Sequence, residues 1–222
     1  MAASSPEIHT EVLGPLDPDE VRAVAALVEA ATEADGVRPL SEHVMLHLRY
    51  GGDRRVRNVL VYDGALLVAY GHLDVTDEVE GASAEVAVHP QHRGRGLGRH
   101  LVETVLAQTA DGRLRLWAHG EHPAAGAMAE AMGFRRHRAL WQMRRSLYAP
   151  LPPPNWPAGV SVRTFVPGQD DQAWVVLNSV AFGDHPEQGC WTLEDLQRRQ
   201  REPWFDPAGF FLAEEEGRLV GF

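Results

Sequence analysis

The sequence predicts an α/β chain in which one complete domain is followed by the front part of a second copy. Three observations carry that prediction. Helical and extended patterns alternate over residues 1–149, a proline-rich run over 150–158 interrupts them, and the opening pattern then starts again over 159–222.

Each element follows from a local signal. From Asp17 to Ala34 apolar residues recur at Val21, Val24, Ala25, Leu27 and Val28, near a 3.6-residue period, behind the cap-like Asp17-Pro18-Asp19-Glu20. A second helix starts at the Ser41 cap and runs through His43, Val44, Met45, Leu46 and Leu48. Val59 to Tyr62 and Ala65 to Leu73 flank Asp63-Gly64, a strong hairpin signal. Ala84 to Val88 reads as a strand ending at His89-Pro90, and a glycine-rich turn then opens a helix from about Leu97 to Thr109. Leu114 to Ala118 is the next strand, Ala124 to Met132 a short helix, and Leu140 to Met143 a closing strand. The run from Ala149 to Pro157 is a stiff linker. Beyond it come a strand at Val160 to Phe165, a helix at Asp171 to Phe182, a capped helix at Thr192 to Leu196 and a hairpin at Phe210 to Phe222. Leu219-Val220-Gly221-Phe222 echoes Leu67-Val68-Ala69-Tyr70. The second copy stops in its hairpin, so the expectation is a truncated sequence or a second half that packs on the first.

Composition limits the function classes. The chain has 222 residues, 44% hydrophobic and 23% charged, as a soluble globular protein requires. No apolar run approaches the roughly 20 residues of a membrane span, and residues 1–7 lack the basic and apolar regions of a secretory signal. A formal net charge of −10 argues against nucleic acid as the main partner. A single cysteine, Cys190, precludes an internal disulfide framework, so a reducing cytoplasm is expected. A monomer is expected.

The densest chemical signal is Val88-His89-Pro90-Gln91-His92-Arg93-Gly94-Arg95-Gly96-Leu97-Gly98-Arg99. Glycines permit a turn whose backbone N–H groups converge, and the following helix N-terminus adds positive dipole; together they capture an anion such as a pyrophosphate. In its place between a strand and a helix, with Met132-Gly133-Phe134 downstream, the run resembles the Val-x-Pro-x-x-Arg-Gly-x-Gly-x-Gly signature of the GCN5-related N-acetyltransferases. That resemblance implies acetyl-CoA as co-substrate, no metal, and cofactor contacts from Val86, Ala87, Val88, Arg93, Gly94, Arg95, Gly96, Leu97, Gly98 and Arg99. It also implies that the backbone of 86–88 holds the pantetheine arm and polarises the thioester carbonyl.

Members of that family often protonate the leaving thiolate with a tyrosine four residues before the Gly-Phe pair. Here that position is Ala129, which has no proton to give. Glu85, on the strand entering the motif, is a weak candidate base, set against the alternative of an edge-strand surface carboxylate. The first domain therefore reads as a cofactor binder with weakened chemistry, and the catalytic residues are expected beyond Phe222.

Several phrases narrow the resemblance: Asp35 to Glu42, Trp117-Ala118-His119-Gly120, Gln142 to Leu147, His185-Pro186-Glu187-Gln188 and Trp204-Phe205-Asp206-Pro207. With the tandem layout, they are similar to the mycothiol synthase family. The resemblance implies acetyl transfer from acetyl-CoA to the cysteinyl amine of cysteinyl-glucosaminyl-inositol, with the N-terminal domain holding acetyl-CoA and the C-terminal domain performing the transfer. It implies Glu42 and Glu187 as carboxylates that contact the acceptor. Two other readings stay open: an acetyltransferase for another small amine, and a non-catalytic acetyl-CoA-binding module. His43 and His47, spaced i, i+4, lack the third ligand a metal site needs, and Cys190 lacks a histidine partner arrangement.

Overall fold

The computed structural model describes residues 8–51, 55–76, 81–146, 148–183 and 191–222. Contacts within the chain divide it into two compact units, Met1–His137 and Arg138–Phe222.

Unit 1 runs β1 (Ile8–Leu13), α1 (Pro18–Asp35), α2 (Glu42–Tyr50), β2 (Arg57–Asp63), β3 (Leu66–Asp74), β4 (Ser83–Val88), α3 (Leu97–Leu106), β5 (Arg115–Trp117) and α4 (Pro123–Ala131). The five strands form one sheet in sequence order. β1 to β4 pair antiparallel, and β5 joins β4 in parallel across the α3 crossover.

Helix α1 starts where its sequence says it should. The Asp17 carboxylate accepts the N–H groups of Asp19 and Glu20, and Glu20 returns to accept the N–H of Asp17, a closed capping box with Pro18 at the first helical position. The buried stripe Val24, Leu27 and Val28 packs with Leu60, Tyr70 and Ala87 on one face of the sheet. On the other face Leu97, Leu101 and Val105 of α3 pack against Val59, Val61, Ala69 and Leu73. A sheet covered on both faces explains why β2 and β3 read as near-continuous apolar runs rather than alternating ones. Gly71 sets how close α3 can come: a Cβ there would lie 3.1 Å from Val105 Cγ2 and 3.3 Å from Leu101 Cδ1.

Unit 2 contains β6 (Val160–Thr164), α5 (Asp171–Ala181), α6 (Leu193–Gln200), β7 (Phe211–Glu215) and β8 (Arg218–Gly221). Its antiparallel sheet has the order β6-β7-β8. The order strand, helix, helix, strand, strand repeats that of β1 to β3, although the sequence assigns the leading strand only in the second copy.

Two expectations fail. Ile8–Leu13, unassigned in the sequence reading, is a strand on the sheet edge, with its apolar Ile8 and Val12 exposed. The closing strand expected at Leu140 to Met143 is not formed. Residues 134–146 carry no regular secondary structure, and Leu140, Trp141 and Met143 are exposed. Apolar alternation alone makes no strand where no neighbouring strand takes up its hydrogen bonds.

Candidate functional site

The site is built where β4 ends and α3 begins. After Val88 the His89 N–H donates to the Val68 carbonyl (2.9 Å), and Pro90–His92 makes one 3₁₀ turn. Gly94 and Gly96 follow with φ of 75° and 83°, the left-handed region that a side chain disfavours. Gly96 is the N-cap of α3 and caps it with no side chain, so the first N–H groups of the helix receive no cap bond from their own N-cap. Residues 94–96 are exposed. Left-handed glycines ahead of a side-chain-free N-cap present converging donors and the positive end of the helix dipole to an anion. Gly98 lies a Cβ's length from trouble: an added Cβ would sit 3.3 Å from Met128 Sδ of α4.

Arg93 holds this turn from inside. Its two terminal nitrogens donate to both carboxylate oxygens of Asp35 at 2.7 Å, and Nε donates to the Val88 carbonyl at 3.1 Å. The hydrogen bond from Arg93 keeps the Asp35 carboxyl below its ordinary value. The last residue of α1 is thereby fixed to the start of the glycine turn by a bidentate pair. Arg95 and Arg99 are more open, reaching Asp63 at 3.9 Å and Glu103 at 4.0 Å.

Next to the turn the sheet splays. β4 pairs with β5 only from Ser83 to Glu85, whose partners are Arg115 to Trp117. Val86, Ala87 and Val88 pair with β3 on one side and with no strand on the other, among the described residues. Apart from the Val88 carbonyl, which accepts from Arg93, their outward N–H and C=O groups form an open strand edge running into the glycine turn.

On the α1/α2 face, Glu85 stands at the mouth of that splay. It is buried, and β4 is an interior strand, so the edge-strand surface alternative is overturned. Its Oε2 accepts the backbone N–H of Ser41 at 2.5 Å, and His119 Nε2 lies 3.2 Å away. Burial alone would raise the Glu85 carboxyl, but the neighbouring His119 ring and the hydrogen bond from the Ser41 N–H outweigh it and hold the group below its ordinary value. Ser41 is the N-cap of α2, its hydroxyl accepting from the Val44 N–H, so Glu85 fixes the start of that helix to the sheet. Glu42, the next residue, is the exposed first residue of α2.

Comparison with known proteins follows this geometry closely. The acetyltransferase (GNAT) domain family matches residues 55–136, the stretch from β2 to the end of α4. A mycothiol acetyltransferase of Streptosporangium roseum is 64% identical over 93% of this chain, which covers 61% of that protein. That of Thermobispora bispora is 58% identical over 92% of this chain, covering 68% of it. The chain belongs to the mycothiol acetyltransferase family. It spans about three fifths to two thirds of the length of these curated relatives. Among solved structures, a GCN5-related N-acetyltransferase from Sphaerobacter thermophilus superposes with a TM-score of 0.63 at 30% identity, over 95% of this chain and 70% of that one. A tandem GNAT protein from the clavulanic acid biosynthesis pathway gives 0.60 at 20% identity, over 96% and 72%, a likeness of fold.

In this mycothiol acetyltransferase family member, the structure brings together Val86, Ala87, Val88 and the 93–99 turn at one end of β4, with Glu85 on the same strand bonded to Ser41, the residue before Glu42. Arg93, expected beside an anion, has all three guanidinium nitrogens engaged by Asp35 and Val88. Glu187 and Cys190 lie outside the described residues. Among the described residues no group of three histidine, cysteine or acidic side chains is arranged to hold a metal ion, although the His43 and His47 rings stand 4.1 Å apart. The sequence analysis quotes Asp35 and His119 within its family phrases but gives them no role, because the contacts that supply one span 58 and 34 residues. No helix among the described residues is long and apolar enough to cross a membrane.

Proposed function

We propose that unit 1 holds acetyl-CoA, and that the chain serves acetyl transfer to the cysteinyl amine of cysteinyl-glucosaminyl-inositol in mycothiol biosynthesis. The observation that carries the reading is the open edge of Val86–Val88 leading into a left-handed glycine turn at a helix N-terminus without a side-chain cap. The pyrophosphate of coenzyme A suits the N–H groups from Gly94 to Gly98 and the dipole of α3, with Leu97 seated in the core beneath them. Arg95 and Arg99 add positive charge at the rim. The Val86–Val88 edge suits the amide-bearing pantetheine arm, which pairs with it as a strand would. Arg93 shapes the turn from behind rather than touching phosphate. Bound acetyl-CoA supplies the thioester carbon that the acceptor nitrogen attacks; the C–S bond breaks and the amine gives up a proton.

Glu42 and Glu187 orient the acceptor's ammonium and hydroxyls in this reading. Glu85 fixes the helix that carries Glu42, and it stands as the base candidate of unit 1, though its lowered pKa makes it a poor proton acceptor near neutral pH. Ala129 supplies no proton to a leaving thiolate. That observation favours a second reading of unit 1 by itself, a non-catalytic acetyl-CoA-binding module whose partner domain carries the chemistry. The proposed domains are 1–149 and 159–222, joined by the proline-rich 150–158, in a monomeric cytoplasmic protein.

Calorimetric titration with acetyl-CoA tests the binding. Gly96→Glu forces a side chain into the left-handed region and sets a negative charge against the phosphates, so affinity should fall roughly 100-fold or more, about 3 kcal/mol. Unchanged affinity would sink the assignment of the turn. Mass spectrometry of cysteinyl-glucosaminyl-inositol incubated with acetyl-CoA and the chain tests the chemistry. Acetylation at enzymatic rates that Glu85→Gln removes would make Glu85 the base and end the module reading.

A further inference from the structure

Asp35 puts a carboxylate beside the turn that receives the pyrophosphate in the proposed function. It closes α1, and both of its oxygens accept from the terminal nitrogens of Arg93, the residue directly before Gly94. Charge alone argues against it there. A negative side chain repels a phosphate, and by pairing with Arg93 it also offsets the cation that opens the turn. A carboxylate that serves this site must therefore serve it by position.

Asp35 is held more firmly than the turn it grips. Gly36, left-handed at φ 67°, caps α1 with its N–H on the Thr32 carbonyl at 2.8 Å. Val37 lies against Gly120 in the loop after β5, where an added Cβ would stand 3.5 Å from Val37 Cβ. Leu40 belongs to the core, and the Ser41 N–H donates to Glu85 of β4. The segment after Asp35 is thus tied to α1, to the loop after β5 and to β4. The turn is the looser partner: residues 94–96 are exposed, and two of the three are glycines. Glycine has the most conformational freedom to lose when an anion draws N–H groups together.

Arg93 joins the firm part to the loose one. Its Nε donates to the Val88 carbonyl at 3.1 Å and its backbone N–H to the Pro90 carbonyl at 3.4 Å, while the fork grips Asp35. The Arg93 and Asp35 side chains keep 28% and 29% of their surface exposed, so the pair is partly withdrawn from water, where bidentate geometry counts for more than in an open surface pair. His122, the N-cap of α4, is the other basic group acting on the Asp35 carboxyl. We propose that Asp35 is a positioning residue of the coenzyme A site: acting through Arg93, it preforms the glycine turn and strengthens pyrophosphate binding in spite of its own charge. The inference rests on the reading of that turn as the acetyl-CoA site. The pair stays closed in the complex, and Arg95, Arg99 and the backbone meet the phosphates.

The sign of one substitution decides it. Asp35→Asn keeps the size of the side chain and removes its charge. Calorimetric titration of the full chain with acetyl-CoA should show affinity about tenfold lower, although a negative charge has left the site. Were Arg93 a phosphate ligand restrained by Asp35, the same change would free it and affinity would rise. Arg93→Lys keeps the cation and loses the fork, and should cost about as much; the double variant should lose no more than either single one. Glu33→Gln removes a charge from the same end of α1 outside the clamp, and should leave affinity within about twofold. A spectroscopic readout separates positioning from a general loss of stability. In the ligand-free chain the Gly94 and Gly96 amide resonances should move in both single variants, while those of β2 and β3 stay. Unmoved glycine resonances, additive losses in the double variant, an equal loss in Glu33→Gln, a loss in Asp35→Asn below about threefold, or a gain there would each overturn the proposal. Wild-type binding that is indifferent to Asp35→Asn sinks this inference alone, whereas a wild-type chain that does not bind acetyl-CoA sinks the proposed function with it.

Discussion

Units 1 and 2 share one order of elements and fill their cores in different ways. In unit 1, helices cover both faces of a five-stranded sheet, and the interior is mostly Val and Leu supplied by long runs such as Val59–Val61 and Leu67–Leu73. In unit 2, the strand positions are half-buried or exposed apart from the fully buried Leu212, so few inward sites need filling. Those sites take large rings: Phe165 stacks on Phe210 at 4.6 Å, Trp174 packs among Phe210, Trp191 and Phe222, and Arg199 lies 3.6 Å over the Trp191 ring. An aromatic side chain buries 150–250 Å², so a few rings do for a three-stranded sheet what many aliphatic residues do for a larger one. Topology therefore fixes where the core lies, and the two units fill it with different residue types.

The sharpest way to break this comparison is to take a ring out of unit 2. Trp174→Ala removes a side chain that is 3% exposed and touches three other rings, and should cost about 3–5 kcal/mol. Hydrogen exchange read on β7 and β8 would show protection lost there. A cost below about 1 kcal/mol would mean that the remaining rings repack, and that unit 2 is held by its ion pairs, chiefly Arg163 donating to Asp170 and Glu214 at 2.6 to 2.7 Å.

Both units bury polar groups, but unit 1 buries a histidine, His72, on the face under α2, and that makes it acid-sensitive. Burial lowers the His72 imidazole to about 4 in the folded chain, against about 6.5 when unfolded. Between those values the unfolded chain binds a proton that the folded chain refuses. His72 therefore costs nothing above pH 6.5, and stability falls as pH drops from 6.5 toward 4 by on the order of 3 kcal/mol in all. Urea unfolding followed by exchange in β3, at pH 7.5, 6 and 5, measures that slope. His72→Gln should flatten it, and an unchanged slope in the variant would move the acid sensitivity to other groups, such as Glu85, whose lowered pKa adds stability that is likewise lost in acid.

Much of this was legible in the sequence because the signals were local. The Asp17-Pro18-Asp19-Glu20 cap, the Asp63-Gly64 turn and the 88–99 run each specify backbone geometry within a few residues, and each element stands within a few residues of its expected place. Strands at the margins were not legible. Ile8–Leu13 puts Ile8 and Val12 outward on an edge, so its apolar pattern points to no core, while Leu140 to Met143 has the pattern and no strand beside it. At the site, the glycines declared the turn, but the Arg93–Asp35 clamp and the Ser41–Glu85 bond are products of tertiary contact. The same arginine that belongs to the glycine-turn signature has its guanidinium paired with a carboxylate 58 residues earlier, a contact only the fold supplies.

The smallest expected effect sharpens the comparison at the helix caps, where the two units look most alike. α1 opens with the Asp17/Glu20 box and α6 with Thr192/Asp195, whose hydroxyl and carboxylate bond the same two backbone N–H groups. Removing either cap side chain, Asp17→Ala or Thr192→Ala, should cost about 1 kcal/mol, measured as amide exchange in the first turn of each helix. The difference lies in what remains. α1 is 18 residues long with four buried apolar side chains, so its exchange should change only at the N-terminal turn. α6 has eight residues and buries only Leu196 and Arg199, so the loss of its cap should spread along the whole helix. Local fraying in both would show that Leu196 and the Arg199–Trp191 stack suffice to hold a two-turn helix; fraying of α6 throughout would show that a short helix on an aromatic core depends on its cap in a way a long one on an aliphatic core does not.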